Sequence, residues 1–268
     1  MSAAANTGKV RDSFPYWLRP AAPADLVRVG SGGDGGYVLP RRVIDEVRGV
    51  LGMGLFDDWS FEEWIYERTG AKVAIFDHTV TWRFWLRRTA AHFVRGVLQG
   101  NSARRKKLTI PIAYWRFFSG AERRHFQIGI GNSPGMIGLE QAMILAGMTE
   151  NILLKVDIEG AEYEILDAIV VNRNRLVACV IEFHLIDQHI GALKKFIAEM
   201  GGDLALVHFH ANNFAVNESG SYSSFIELSF MARRLMAPEE VLVEHELPLP
   251  ELDHPSVDWN RDVKPVFA

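Results

Sequence analysis

Short apolar runs alternate with helical segments through most of the 268-residue chain. The runs are nearly continuous in apolar residues, which is typical of strands that are buried on both faces of a sheet. The predicted strands are 49–54, 71–77, 125–130, 151–158, 176–184, 204–208 and 225–232. The predicted helices are 60–69, 81–98, 138–146, 161–170 and 191–200. This order predicts an α/β fold with a mostly parallel sheet, helices on both of its faces and a terminal antiparallel hairpin.

The first 48 residues precede this alternation. Residues 1–27 are rich in Ala and Pro and have no long periodic pattern, which predicts an arm laid across the domain. A glycine-rich stretch follows at 29–40, where glycine permits close approach of the backbone to a ligand. We therefore divide the chain into an arm with a glycine-rich loop, 1–48, and one α/β domain, 49–268. A basic aromatic insertion is expected within that domain at about 80–120.

Composition is that of an ordinary globular protein, with 48% hydrophobic and 23% charged residues. The net charge of −4 gives no electrostatic case for nucleic-acid binding by the molecule as a whole. The single cysteine, Cys179, lies in an apolar run and is predicted to be a buried thiol. Residues 1–10 lack a signal-peptide core, and no run approaches the roughly 20 apolar residues of a membrane span. We expect a cytoplasmic protein.

The ends of the first two predicted strands have the residues of a nucleoside-binding corner. Gly52 and Gly54 end the first strand, and Asp77 ends the next, where an acid accepts hydrogen bonds from ribose hydroxyls. This pair is shared by NAD enzymes and methyltransferases, and it also fits a plain strand–turn–helix corner. The third glycine of a dinucleotide fingerprint is missing, and Asp57 and Asp58 would repel a pyrophosphate. S-adenosylmethionine has no phosphate and carries a sulfonium and an ammonium, which tolerate these carboxylates.

The start of the next predicted helix is Ser60-Phe-Glu-Glu63, which predicts a capping box. If S-adenosylmethionine is the methyl donor, we expect its binding site to use residues from these strand ends, from the glycine-rich loop and from later loops. We call this the donor site. The predicted donor-binding residues are Gly35, Tyr37, Gly52, Gly54, Asp58, Ser60, Asp77, His78, Gly129 and Asp157.

The segment Leu153-Leu-Lys-Val-Asp157-Ile-Glu159-Gly-Ala-Glu162 resembles the "LKIDIEGAE" signature of FkbM-type methyltransferases. Gly33-Asp-Gly-Gly-Tyr-Val38 is similar to the "DGGYV" segment of one branch of that family, and the resemblance extends over about residues 28–230. It implies a class I methyltransferase (Rossmann-like) fold and S-adenosylmethionine-dependent methyl transfer to a hydroxyl of a carbohydrate or related natural product. The 52–58 loop and residues 82–120 depart from the family pattern, so the resemblance does not imply the acceptor.

A hydroxyl acceptor must lose its proton, which requires a base or a metal ion. The candidate catalytic residues at the later strand ends are Asp157, Glu182, His184 and His210. In one mechanism Glu182, His184 or His210 takes the proton directly. In the other, Asp157 and Glu182 hold a Mg²⁺ that binds the acceptor oxygen. The alternative for each residue is a hydrogen-bonded structural role.

The segment from His78 to Ala121 has nine basic residues and no acidic one. Trp82, Trp85, Leu86 and Phe93 lie there at helical spacing, which favours an amphipathic helix with a solvated basic face. The alternatives are an acceptor lid, a dimer arm, or contact with an anionic membrane surface or nucleic acid. Stacking of sugar rings on Trp85, Tyr114 and Trp115 is a further hypothesis.

Two other functional classes stay open. An RNA-directed methyltransferase would use the basic segment, although the sequence has no Asn/Asp-Pro-Pro-Tyr/Phe string. A non-catalytic protein of the same fold would bind the donor alone. The leading interpretation expects a small-molecule or oligosaccharide acceptor, no nucleic acid, and at most weak contact with a membrane surface, with a homodimer as an open alternative.

Overall fold

The computed structural model describes residues 13–33, 35–94, 107–214, 223–257, 259–260 and 262–268. Its strands are β1 Ser13–Phe14, β2 Leu26–Val29, β3 Tyr37–Pro40, β4 Gly49–Met53, β5 Lys72–Phe76, β6 Arg123–Phe126, β7 Ile152–Val156, β8 Leu176–Phe183, β9 Leu204–Ala211, β10 Ile226–Ala232 and β11 Val266–Phe267. Its α-helices are α1 Arg41–Glu46, α2 Ser60–Thr69, α3 Trp82–Phe93, α4 Ile110–Phe118, α5 Leu139–Ala146, α6 Leu166–Asn172 and α7 Ile186–Met200.

Seven of the described strands form the central sheet in the order β6-β5-β4-β7-β8-β10-β9. β10 runs antiparallel to both of its neighbours, and the other paired strands are parallel. The predicted mostly parallel sheet and terminal antiparallel hairpin are thus confirmed, and the architecture is the Rossmann-like class I methyltransferase fold. The strand order reverses at β4 and β7, and ligands of such sheets bind beyond the carboxyl ends of the strands at that point.

Both faces of the sheet are covered, which is why the central strands β4, β7 and β8 consist almost entirely of buried apolar residues. The edge strand β6, Arg-Arg-His-Phe, is only partly buried. On one face, Leu51, Leu154 and Ile181 belong to a core shared with α5, α6 and α7. On the other face the β2–β3 hairpin, α1 and α2 pack onto the sheet, and Phe61 and Ile65 of α2 are fully buried there. Each such side chain stabilises the fold by about 1.5–3 kcal/mol through the loss of apolar surface from water.

The start of α2 differs from the predicted capping box. Trp59, not Ser60, occupies the N-cap position, and no side chain of that residue caps the helix. Asp58 Oδ1 instead accepts the backbone N–H of Ser60 at 2.8 Å. The carboxylate of Asp58 satisfies a free donor of the first turn and interacts favourably with the helix dipole, so it performs the task predicted for the Glu63 side chain. The N–H of Glu63, which the Ser60 side chain was expected to bind, donates to Trp59 O instead.

The segment after β7 also differs from its prediction. The helix expected at 161–170 is a 3₁₀ turn, Glu162–Glu164, followed by α6. Glu159 has φ = 55° and Gly160 has φ = 105°, so the chain passes through left-handed conformations before it can become helical. These two residues turn the chain back over the end of β7, at the edge of the sheet where the site lies.

Smaller shifts affect other elements, and β9 ends at Ala211 rather than at 208. β6 ends at Phe126 rather than at residue 130, and α7 begins at Ile186 rather than at 191. α3 begins at Trp82, where Thr81 Oγ1 accepts the N–H of Phe84 at 3.4 Å. The predicted continuation of this helix to residue 98 lies outside the described residues.

The segment before the sheet is packed against it from residue 13 onward. β1 pairs with β11 in parallel, and Phe14 and Leu18 are buried in the core. Cys179 is fully buried, as predicted, and burial raises the pKa of its thiol. Among the described helices, none is long and apolar enough to cross a membrane.

Candidate functional site

A cavity of about 240 Å³ lies beyond the carboxyl ends of β4, β5 and β7, and we call it the first cavity. Of the residues predicted to bind the donor, it is lined by Gly54, Asp77, His78, Gly129 and Asp157. Apolar atoms contributed by the side chains of Phe56, Ile130 and Met136 complete much of its wall. The reversal of strand order therefore places a cavity at the edge of the sheet where these folds bind ligands.

The carboxylate of Asp77 organises the turn that follows β4. Its Oδ2 accepts the backbone N–H groups of Leu55 at 2.9 Å and Phe56 at 3.2 Å. Its Oδ1 accepts the N–H of Thr79 at 2.7 Å and the hydroxyl of Thr79 at 2.6 Å. Burial raises the pKa of Asp77, but these hydrogen bonds outweigh it and lower the pKa below its ordinary value. Asp77 is therefore a carboxylate at neutral pH.

The sheet continues one residue past the ends of three strands at this cavity. The N–H of Gly54 donates to Phe76 O at 3.0 Å, and the N–H of Asp157 donates to Met53 O at 2.8 Å. The N–H of Asp77 likewise donates to Phe126 O at 3.0 Å. Gly54 has φ = 90°, and a Cβ added there would lie 1.8 Å from Asp157 O. Only glycine permits the end of β4 to approach β7 so closely.

The other predicted donor residues do not line this cavity. Gly52 faces Glu62, Gly35 lies against the Asp58 carboxylate, and Tyr37 is buried against the ring of Phe61. Ser60 Oγ is buried and makes no hydrogen bond within the described part of the chain. The structure thus places Gly35, Tyr37, Gly52, Asp58 and Ser60 behind β4, on the face that α2 covers.

A buried ion pair lies on that face. Lys155 Nζ of β7 is 3.6 Å from Glu62 Oε1 of α2, and their side chains are 4% and 0% exposed. Burial raises the pKa of Glu62. For Lys155, burial lowers the pKa, but the neighbouring carboxylates, first of all Glu62, raise it above its ordinary value. The pair joins α2 to the sheet beside Gly52 of β4, where an added Cβ would lie 2.9 Å from Glu62 Oε1.

A second cavity, of about 310 Å³, lies beside the first, beyond the ends of β7 and β8. Its polar lining residues are Asp157, Glu159, Glu182, His184, Asn212 and Ser256. Ligand atoms of Asp157, Glu182 and His184 all lie within 4.8 Å of one another. Asp157 and Glu159 line both cavities, so the two spaces share a wall.

His184 is positioned by the buried residue Glu162. Glu162 Oε1 accepts the backbone N–H of His184 at 2.6 Å and lies 3.2 Å from His184 Nδ1. Glu162 Oε2 accepts the N–H of Gly160 at 2.8 Å. Burial lowers the pKa of His184, but the carboxylates of Glu162, Asp157 and Glu159 outweigh it and raise the pKa. His184 Nε2 is 3.6 Å from Glu159 Oε2, on the side of the ring away from Glu162.

Glu182 and His210 lie on the same face of the sheet, each opposite Glu227 of β10. Asn212 Nδ2 donates to Glu182 Oε1 at 2.9 Å, which orients the carboxylate in the second cavity. His210 lines neither cavity. Its Nδ1 is 3.4 Å from Glu227 and its Nε2 is 3.5 Å from Asp262. Burial lowers the pKa of His210, but these carboxylates raise it to about 10, so it holds a proton at neutral pH.

The aromatic residues at the second cavity are not those suggested by the sequence. Trp85 and Tyr114 are buried against each other between α3 and α4, with ring centroids 4.9 Å apart, and Trp115 is exposed on the outer surface of α4. Phe214 and Phe225 line the second cavity instead, with nearly parallel rings 6.4 Å apart.

The sequence offered a weak signal for these rings and for Glu162. Phe214 directly follows Asn212-Asn213 at a strand end, and Glu162 belongs to the motif after β7. Their roles depend on contacts between distant segments: Glu162 with His184, and Phe214 with Phe225. No local pattern encodes such contacts.

No family model matches the chain, and no curated protein matches it. Among solved structures it is similar to a fibrillarin/Nop5p complex, with 12% identity and a TM-score of 0.36 over 70% of this chain and 73% of that chain. It is similar to an rRNA methylase from Streptococcus thermophilus, with 12% identity and a TM-score of 0.37 over 71% of this chain and 92% of the methylase. It is also similar to a spermidine synthase from Thermotoga maritima, with 11% identity and a TM-score of 0.37 over 85% of this chain and 65% of the synthase. Similarity at this level identifies no substrate, and the fold assignment rests on the strand order.

Proposed function

We propose that this protein transfers a methyl group from S-adenosylmethionine to a hydroxyl oxygen. The observation that carries the proposal is that Asp157 and Glu159 line both cavities, so that the two cavities adjoin. In-line displacement at a methyl carbon requires the donor sulfur and the acceptor oxygen on opposite sides of that carbon. Two adjoining cavities at the edge of a methyltransferase-like sheet suit a donor in the first and an acceptor in the second.

The charges of the first cavity favour a cationic donor. Its described lining includes the acidic residues Asp77, Asp157 and Glu159 but no Lys or Arg. Such a lining would repel a pyrophosphate and attract a sulfonium and an ammonium. S-adenosylmethionine supplies the reactive methyl group, and Asp77 and Gly54 are the residues that we assign to its nucleoside end.

The second cavity offers two routes for the acceptor proton. Because Glu162 occupies Nδ1 of His184, Nε2 is the atom that faces the acceptor and can take its proton. Asp157 and Glu182 are the proposed ligands of a Mg²⁺, and their surroundings fit a cation because Glu159 adds a third carboxylate to the lining. A bound Mg²⁺ would lower the pKa of the acceptor hydroxyl. His210 is not part of this proposal because it lies outside both cavities.

A carbohydrate or related natural product is the proposed acceptor class. Carboxylate and amide groups that accept and donate hydrogen bonds suit neighbouring hydroxyls, and Glu182 and Asn212 provide them. Phe214 and Phe225 offer flat apolar surface on the same cavity, which suits the C–H face of a sugar ring. An RNA acceptor fits less well, because the carboxylates of this lining would repel its phosphates. The FkbM-type assignment and a homodimer stay predictions.

Donor binding and acceptor choice are tested separately. Isothermal titration with S-adenosylhomocysteine and with NAD should show binding of the first compound only, and binding of neither would remove the assigned donor site. A panel of saccharides, phenols and RNA oligonucleotides with a labelled methyl donor should then show transfer to saccharides. Transfer to RNA would contradict the acceptor class, and donor binding without any transfer would favour the non-catalytic alternative.

The metal proposal is tested by exhaustive chelation followed by addition of Mg²⁺. We expect activity to fall and return, and we expect the Asp157→Asn, Glu182→Gln variant to lose it at any Mg²⁺ concentration. Full activity in excess chelator would exclude the metal and leave His184 as the base.

A further inference from the structure

The outer surface of α3 and α4 has an unusual number of exposed apolar side chains. Trp82, Leu86 and Phe93 of α3 are 65%, 62% and 50% exposed. Ile112 and Trp115 of α4 are 71% and 63% exposed. At about 100° per residue, positions 82, 86 and 93 fall within about 40° of one another around the helix. The α3 residues therefore form a single apolar stripe that faces solvent.

The orientation of this stripe is fixed by the packing on the opposite side of the helix. Trp85 is buried against Tyr114 of α4. The ring centroid of Phe84 lies 5.7 Å from that of Phe56, which lines the first cavity. Arg88 forms an ion pair with Asp57 and lies over the Phe56 ring. Rotation of α3 to bury its outer stripe would break these contacts.

The same surface is positively charged, although the chain as a whole has a net charge of −4. Arg83, Arg87, Lys107 and Arg116 are exposed, and no acidic residue occurs between residues 78 and 121. An apolar stripe flanked by arginines, with tryptophans among its apolar residues, is typical of helices that lie in the interface of an anionic bilayer.

We propose that the outer surface of α3 and α4 binds an anionic lipid membrane. A second copy of the chain is a poorer partner, because a two-fold contact through this surface would bring basic residues against basic residues. Nucleic acid is also poorer, because the aliphatic side chains of Leu86 and Ile112 cannot stack on bases as aromatic rings do. Since Phe84 of α3 contacts Phe56 in the lining of the first cavity, binding would hold the mouth of that cavity close to the lipid surface.

Vesicle sedimentation tests this proposal. The full chain is mixed with vesicles of phosphatidylcholine alone, or of equal parts phosphatidylcholine and phosphatidylserine. We expect binding to the anionic vesicles only, with weaker binding at high salt. The Leu86→Ser, Ile112→Ser variant and the Arg83→Gln, Arg87→Gln variant should each bind at least about tenfold less, because each removes apolar burial or charge attraction.

The matched control is Ile144→Ser, Val171→Ser, which changes two side chains that are 71% and 75% exposed on α5 and α6. It should bind anionic vesicles as the unchanged protein does. Circular dichroism confirms that each variant is folded. Equal binding by all variants, or no vesicle binding by a folded protein, would overturn the proposal. Binding of single-stranded RNA in place of vesicles, or loss of a dimer in the Leu86→Ser, Ile112→Ser variant, would overturn it in favour of those partners.

Discussion

Glu162 holds His184 from two directions, accepting its backbone N–H at 2.6 Å while lying 3.2 Å from Nδ1 of its ring. A buried carboxylate in this arrangement fixes the orientation of an imidazole and leaves the other ring nitrogen for chemistry. Glu162 itself lines neither cavity, so it is a positioning residue.

The first prediction follows from this arrangement. Glu162→Gln weakens the anchor of His184, and we expect kcat to fall roughly 10- to 100-fold with little change in donor affinity. Rate measurements with titration of S-adenosylhomocysteine check this. Glu164→Gln is the matched control, since Glu164 is exposed and its carboxylate accepts the N–H of Asn132 rather than contacting His184. Equal effects of the two substitutions would contradict a specific role for Glu162.

The second prediction concerns Asp77. Asp77→Asn places an amide donor against backbone N–H groups or the Thr79 hydroxyl, and leaving one of them unsatisfied costs about 1–3 kcal/mol. We expect the dissociation constant of S-adenosylhomocysteine to rise about tenfold or more, which corresponds to about 1.4 kcal/mol. Thr79→Val, which removes one of these bonds, should have a smaller effect. Unchanged affinity in Asp77→Asn would place the donor elsewhere.

The third prediction concerns Gly54. An alanine Cβ would overlap Asp157 O, and φ = 90° is strained for alanine, so Gly54→Ala must push β4 away from β7. We expect a lower melting temperature and loss of donor binding. Gly32→Ala is the control, because no atom lies within 4 Å of an added Cβ there. A Gly54→Ala protein with normal stability and binding would show that the close approach of the two strands is not needed.

The fourth prediction concerns the buried pair of Glu62 and Lys155. Removing one partner leaves a buried charge, so Lys155→Met or Glu62→Gln alone should lower the free energy of unfolding by about 3–5 kcal/mol. In the double variant, the decrease in the free energy of unfolding should be smaller than the sum of the decreases in the two single variants. Urea unfolding of the four proteins measures this coupling, and additive losses would mean that the two groups do not interact.

The fifth prediction is a pH dependence that arises from His210. Its pKa is raised to about 10, above the unfolded value of about 6.5. The resulting stabilisation is complete below the unfolded pKa and disappears as the pH rises through the folded one. The free energy of unfolding should therefore decline between about pH 6.5 and 10, and His210→Gln should flatten that decline. An identical pH profile in the variant would show that another group is responsible.

The mostly parallel sheet and its terminal antiparallel hairpin were predictable, because buried strands have a recognisable local pattern of apolar residues. The strands β7 and β8 were recognised within one or two residues of their ends, and Asp157 and Glu182 were placed at one edge of the sheet. The start of α2 was not predictable in the same way. Ser60-x-x-Glu63 satisfies the local pattern for a capping box, but Asp58 accepts the Ser60 N–H and Trp59 O accepts the Glu63 N–H. The sequence shows which groups can cap a helix, not which one is closest.

The donor residues show the same limit. Gly54 and Asp77 were predicted and line the first cavity, whereas Gly52, two residues before Gly54, faces Glu62 on the other side. Residues 52 and 54 would lie on the same face of a continued strand. Gly54, however, lies one residue past the end of β4 with φ = 90°, and the sequence does not show this change of backbone direction. The aromatic rings of the second cavity were missed for a related reason, because Phe214 and Phe225 meet across β9 and β10 only in the folded chain.

The hydrogen bonds that extend the sheet past its strand ends at Gly54, Asp77 and Asp157 make the rim of the first cavity part of the rigid framework. Amide groups in such a framework exchange their hydrogens with solvent only when a large part of the fold opens. We therefore expect the amides of these three residues to be as protected from exchange as those of the central strands, before any donor is added. Because the rim is already ordered, a ligand that binds there does not have to order it, and little affinity is lost to that cost.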